Sequence, residues 1–154
     1  MLHMKGGKCV YRVASDFGCV IVKTWDFRSS IKRFLSFTVS RRMCREAHAL
    51  EVLGETPICA PRLLAKIPVS PRHWPTYYDI VIEDLSDLST AMEHLKQLLS
   101  RGVEADRQRF EGEVIHLTKS LIEAGIFDRD HSLNNLMVND AGQLCRIDFE
   151  SALV

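Results

Sequence analysis

Hydrophobic and polar positions alternate first in two short runs, "KCVYRVA" and "GCVIVKTW", both rich in β-branched and aromatic residues. The "SDFG" between them is a turn sequence in which Gly18 is free to take a positive φ. The pattern therefore predicts an antiparallel hairpin with Lys23 near the end of its second strand. The stretch "FRSSIKRFLSFTVSRR" then mixes Ile31, Phe34, Leu35 and Phe37 with Arg28, Lys32, Arg33, Arg41 and Arg42. It reads as an amphipathic helix with two roles open. It either leans on an anionic surface such as a membrane face, or packs on its own domain with its basic face solvated, which is the favoured role. In "RRMCREAHALEVLGE", Met43, Ala47, Leu50 and Leu53 recur at helical spacing, Gly54 is placed to cap the helix, and Glu46 falls one residue off the apolar stripe.

Two more short strands are expected in "APRLLAKI" and "YYDIVIEDL", joined by the loop "PVSPRHWP", whose prolines exclude a helix. "LSDLSTAMEHLKQLLSRG" and "EADRQRFEGEVIHLTKSLIEAG" read as helices. The second sets Phe110, Val114, Leu117 and Leu121 on one face and ends at Gly125. The closing "LNNLMVNDAGQLCRIDF" predicts two short strands around the turn "NDAG". Strands, then helices, then one hairpin make an α+β chain without internal repeats or low-complexity segments.

A length of 154 residues suits one domain. With 20 basic against 20 acidic residues there is no basic footprint for nucleic acid, and 46% hydrophobic content is that of a globular protein. The five cysteines lack a C-x-x-C pair and are odd in number, so reduced thiols in a cytoplasmic protein are expected, with Cys145 acting as a small apolar residue. The longest apolar runs are strand-sized, and the start lacks the charged and apolar regions of a secretory signal.

The acids and amides near the end change this picture. Asp130, Asn135 and Asp148 fall at one end of the closing hairpin, and three such oxygen-bearing side chains are suited to Mg²⁺ that also takes phosphate oxygens. "DRDHSLNNLMV" resembles the catalytic loop H-R-D-x-x-x-x-N of the protein-kinase superfamily, and "IDFE" resembles its D-F-G segment. "VIVK" resembles the strand carrying the kinase lysine, here Lys23, and Glu46 resembles its ion-pair partner. "VIEDLSD" resembles the hinge between lobes, where backbone groups near Glu83 and Leu85 would bond adenine. Within the superfamily the chain is most similar to the bacterial lipopolysaccharide kinases, through "VYRVASDFGCVIVKTW", the basic segment after it, "REAHALEVLGETPICAPRLLAK" and "IVIEDLSDL".

The resemblance implies a protein-kinase-like fold in one domain, with an antiparallel-sheet N-lobe over residues 1–85 and a shortened, mainly helical C-lobe over residues 86–154. It implies ATP and Mg²⁺ as cofactors, Asp130 as the catalytic acid-base group and Asn135 and Asp148 as metal ligands. The acceptor it implies is a sugar hydroxyl of lipopolysaccharide type, met in the cytoplasm at the inner face of the membrane. The sequence also departs from the kinase pattern. Gly6 and Gly7 stand as the remains of a glycine-rich loop whose preceding strand is missing, Asp128 stands where histidine is usual, and Glu150 replaces the glycine of D-F-G. Only four residues follow Glu150, which leaves no activation segment and implies a minimal kinase, a fragment or a degenerate relative. Apolar surface left bare by the missing helices is expected to be covered by a second copy or a partner. The alternative is a pseudokinase or nucleotide-binding interaction module without turnover.

Overall fold

The computed structural model describes residues 3–5, 8–16, 18–25, 36–68, 78–139 and 141–154. Strands β1 (His3–Lys5), β2 (Lys8–Ser15), β3 (Gly18–Trp25), β4 (Leu63–Pro68) and β5 (Tyr78–Glu83) form an antiparallel sheet in the order β1-β2-β3-β5-β4. The expected hairpin is β2–β3, with Ser15 opposite Gly18 and Gly18 at φ 113°, a conformation that needs glycine. The strand expected to be missing before Gly6 and Gly7 is present. β1 pairs with β2 from His3↔Val10 to Lys5↔Lys8. Three residues are too few to show a period of two, so the sheet edge rather than its own pattern makes β1 a strand. Gly6 and Gly7 themselves lie outside the described residues.

Helix α1 (Ser36–Leu53) runs without a break across the boundary between the two helices expected there. Of the basic segment, residues 26–35 lie outside the described residues, and the remainder belongs to this one helix. Its end is closed by the Gly54 N–H donating to the Leu50 carbonyl at 3.0 Å. Glu46 is not off the stripe: positions 43, 46, 47, 50 and 53 follow the i, i+3, i+4, i+7 rhythm, and all five are buried. The loop between β4 and β5, residues 69–77, lies outside the described residues.

The segment expected to be helical from Leu85 starts instead with strand β6 (Ser89–Thr90), and helix α2 covers Ala91–Arg101. A capping box sets this start. The Thr90 hydroxyl accepts from the Glu93 N–H at 3.2 Å, and the Glu93 carboxylate accepts from the Thr90 N–H at 3.1 Å. Helix α3 (Glu104–Glu123) follows. It ends in a Schellman motif with Gly125 at φ 78°, in which the Gly125 N–H donates to Ile122 and the Ile126 N–H to Leu121, both at 2.9 Å. Ile126 and Leu121 are both buried, so the chain leaves α3 in a fixed direction toward the residues that follow.

Beyond α3 come β7 (Phe127–Asp128), a 3₁₀ turn (Leu133–Asn135), β8 (Leu136–Val138), β9 (Leu144–Arg146) and β10 (Ala152–Leu153). β8 pairs with both β6 and β9, and β7 pairs with β10, a small pairing the sequence pattern does not reveal. α1 packs on β4 and β5 on one side and on β10 on the other, so the helix carrying Glu46 stands between the sheet and the closing segment. One core joins α1 (Ala47, Leu50), β5 (Ile80, Ile82), α3 (Leu117, Leu121) and the closing segment (Leu136, Phe149). Phe127, Leu153 and Val154 remain exposed at 55%, 37% and 48%, so the closing segment does present apolar surface. Among the described residues, no helix is long and apolar enough to cross a membrane.

Cys145 is not merely a small apolar residue, and not all the thiols are free. Cys145 on β9 forms a disulfide with Cys59 in the loop after α1, across a sequence separation of 86 residues. Cys9, Cys19 and Cys44 are free. A cross-link closing so long a loop is expected to stabilise the fold by about 4.6 kcal/mol in the chain-entropy account. Denaturant unfolding of the oxidised protein should exceed that of the reduced protein by about this amount. In Cys59→Ala the gap between oxidised and reduced samples should vanish.

Candidate functional site

Cross-strand pairing puts Lys23 of β3 opposite Val10 of β2 and Ile80 of β5, so these residues share one face of the sheet. α1 covers that face. The Lys23 ammonium forms an ion pair with the Glu46 carboxylate, and their side chains are only 9% and 1% exposed. Lys23 Nζ also lies 4.0 Å from Asp148 Oδ1. The sheet lysine, the helix glutamate and the aspartate of the closing segment thus meet at one point.

Lys8, two residues before Val10, lies on the same face of β2, and its ammonium pairs with Glu150. Burial lowers the Lys8 pKa, and the neighbouring positive charge of Lys23 lowers it further. Carboxylate oxygens of Glu46, Asp148 and Glu150 all lie within 4.8 Å of one another. Among the described residues, nothing donates a hydrogen bond to the buried oxygens Glu46 Oε2 and Asp148 Oδ1, an expensive state for carboxylate oxygens unless a cation supplies the missing partner. The Asn135 NH₂ group donates to the Asp130 carbonyl at 3.0 Å, which leaves the oxygen of that amide for other contacts. Carboxylate oxygens without donors are ligands of the kind a Mg²⁺ ion accepts, so the trio of Glu46, Asp148 and Glu150 fits the ion.

Arg146 holds the closing segment in shape. It is fully buried, at 0% exposure, and forms an ion pair with Asp128, whose side chain is 2% exposed. Its guanidinium donates to the Asn135 and Asp130 carbonyls, each at 2.9 Å, and to the Asp148 carbonyl at 3.3 Å. One side chain thus gathers the backbone of all three residues expected to carry the chemistry. Burial pushes the Arg146 pKa down to about 10, against the raising influence of Asp148. Asp128 also accepts from the Asp130 N–H at 3.1 Å and from the Ser151 hydroxyl. Asp148 has φ 60°, the one positive-φ residue other than glycine among the described residues, and the buried Phe149 follows it 5.7 Å from the Arg146 guanidinium. The Asp130 side chain itself is exposed.

Glu83 and Leu85, expected at the adenine position, lie at the end of β5 and just beyond it. The Glu83 N–H donates to the Arg62 carbonyl at 2.9 Å, and its carboxylate faces Arg62. The Leu85 carbonyl accepts from the Leu88 N–H at 3.1 Å. Arg12 of β2 ties this segment down through Asp84 and Asp87. Neither residue lies in the cluster around Asp148. Sequence reasoning missed Arg146, and it missed that Asp128, read only as a lost histidine, is the buried counter-charge of that arginine. An arginine two residues before an aspartate, inside an otherwise apolar strand, was the available signal.

No protein-family model matches the sequence, and no curated protein matches it. Solved structures of WbdD do. The co-crystal structure of WbdD with the kinase inhibitor LY294002 aligns with a TM-score of 0.60 at 21% identity, covering 97% of this chain and 32% of that one. A structure described as the bifunctional kinase-methyltransferase WbdD aligns at 0.55 and 22% identity over 87% of this chain and 28% of that one. Monomeric WbdD aligns at 0.58 and 20% identity. At this identity the likeness is one of fold, and the chain spans about a third of the length of WbdD.

Removing Arg146 while leaving Asp128 would strand a buried charge, so Arg146→Met is expected to cost about 3–5 kcal/mol in denaturant unfolding. Adding Asp128→Asn should recover part of that loss. Simple additivity of the two substitutions would contradict the pairing.

Proposed function

We propose that the chain is a kinase-like phosphotransferase that uses ATP and Mg²⁺ to phosphorylate a hydroxyl, with residues 1–85 and 86–154 as its two lobes. The observation that carries this reading is the convergence of Lys23, Glu46 and Asp148, with two buried carboxylate oxygens left without donors. Its order along the chain is that of the kinase lysine, its glutamate and the aspartate of D-F-G. The fold shared with WbdD, a kinase-methyltransferase by description, supports it.

In this reading adenine bonds to the backbone between Glu83 and Leu85, and Gly6 and Gly7 serve the phosphates as the remains of a glycine-rich loop. Lys23, oriented by Glu46, binds phosphate oxygens. Asn135 and Asp148 would hold the Mg²⁺, whose charge offsets that developing on the transferred group. The acceptor oxygen forms a bond to the γ-phosphorus while the bond to the bridging oxygen of ADP breaks, and the acceptor proton passes to Asp130. An exposed Asp130 is open to such an acceptor. The similarity to lipopolysaccharide kinases makes a lipopolysaccharide-type sugar hydroxyl the proposed acceptor, met at the inner face of the cytoplasmic membrane.

Calorimetry with ATP tests the site. Binding should depend on Mg²⁺ and weaken about tenfold or more in Asp148→Asn. Asp130→Ala should keep that binding and lose phosphate transfer by a factor of about 10² or more. Failure of the wild type to bind millimolar ATP would overturn the reading, and binding without transfer to any sugar would favour a nucleotide-binding module without turnover.

A further inference from the structure

Lys8 is the first residue of β2, immediately after Gly6 and Gly7, and shares a sheet face with Lys23. Its partner is not a neighbour in the sheet but Glu150, at the far end of the chain and within the carboxylate trio that includes Asp148. Both side chains are largely buried, at 15% and 17% exposure. Two ammonium groups, Lys8 and Lys23, therefore face three carboxylates, Glu46, Asp148 and Glu150, in one small volume.

We infer that Lys8 is a second phosphate-binding cation of the nucleotide site, and that Glu150 is the partner it holds at rest and gives up when nucleotide and metal enter. The inference rests on the nucleotide reading above. A divalent cation arriving at Asp148 draws on the adjacent Glu150 carboxylate as well, and this competes directly with the Lys8 ammonium. The ammonium released stays on the sheet face it shares with Lys23, the residue that binds phosphate oxygens in that reading. A phosphate oxygen is the stronger partner for it there, since a desolvated cation next to another cation gains most from a multiply charged anion. Glu150, in place of the glycine of D-F-G, then has a purpose: it keeps Lys8 beside Lys23 and Asp148 and prevents it from folding back into solvent.

A permanent strap between β2 and the closing segment would make the same contact but behave differently, and calorimetry on the full chain separates the two. The probes are ATP without metal, ATP with Mg²⁺, and adenosine, titrated into wild type, Lys8→Met and Glu150→Gln. Lys8→Met should weaken ATP about tenfold with or without Mg²⁺ and leave adenosine unchanged. Glu150→Gln, which frees Lys8, should tighten metal-free ATP several-fold and reduce the extra affinity gained from Mg²⁺. Opposite signs for the two variants in metal-free ATP are the signature of the exchange, and Glu150→Gln keeps the test valid if Lys8→Met fails to fold. Lys8→Met binding ATP like a wild type that binds it, or both variants losing ATP and adenosine in parallel, would overturn this inference alone. A wild type that binds neither ligand would overturn it together with the nucleotide reading.

Discussion

The buried ion pair between Arg146 and Asp128 is the constraint on which the rest of the site depends. A guanidinium with no exposure to water must find its partners within the protein, and its two terminal nitrogens find the Asp128 carboxylate and the carbonyls of Asp130, Asn135 and Asp148. Those carbonyls come from two separate stretches of backbone. Their joint capture fixes the loop before β8 relative to the segment after β9, as sheet pairing alone would not. It also supports Asp148 in a left-handed conformation that costs an aspartate about 1 kcal/mol or more. The pair is better understood as setting geometry than as adding stability, because desolvation offsets much of the attraction between buried charges.

The second half of the site comes from the sheet. Alternation along β2 and β3 puts Lys8 and Lys23 on the covered face, and the rhythm of α1 turns Glu46 toward the same place. α1 touches both the sheet and β10, so packing against the closing segment is what brings the lysines to Asp148 and Glu150. Apolar burial in that core, together with the counter-charges of Lys8 and Lys23, holds the three carboxylates as close as they are.

Elements with long, regular periods were legible in the sequence. The β2–β3 hairpin follows from two alternating runs and one glycine, and α3 from its apolar face and Gly125. Parts that depend on distant partners were not. β1 is three residues long and exists because β2 offers an edge, and β7 and β10 are two residues each. Thr90 and Glu93 carried the signal for the start of α2, which a purely periodic reading extends too far back. The Cys59–Cys145 link joins residues too far apart for spacing to suggest a pairing. Of the side chains that meet around Lys23, Glu46 and Asp148 were marked by the motifs, whereas Asp128 and Arg146 take their meaning only from each other.

The most direct test of the account is a crystal structure of the full chain grown with Mn²⁺ in place of Mg²⁺ and a non-hydrolysable ATP analogue, with the metal located by its anomalous signal. A metal peak bonded to Asp148 and Asn135, with the phosphates between that peak and Lys23, is the expected result. A peak remote from Asp148, or bound nucleotide with its phosphates turned away from Lys23, would contradict it.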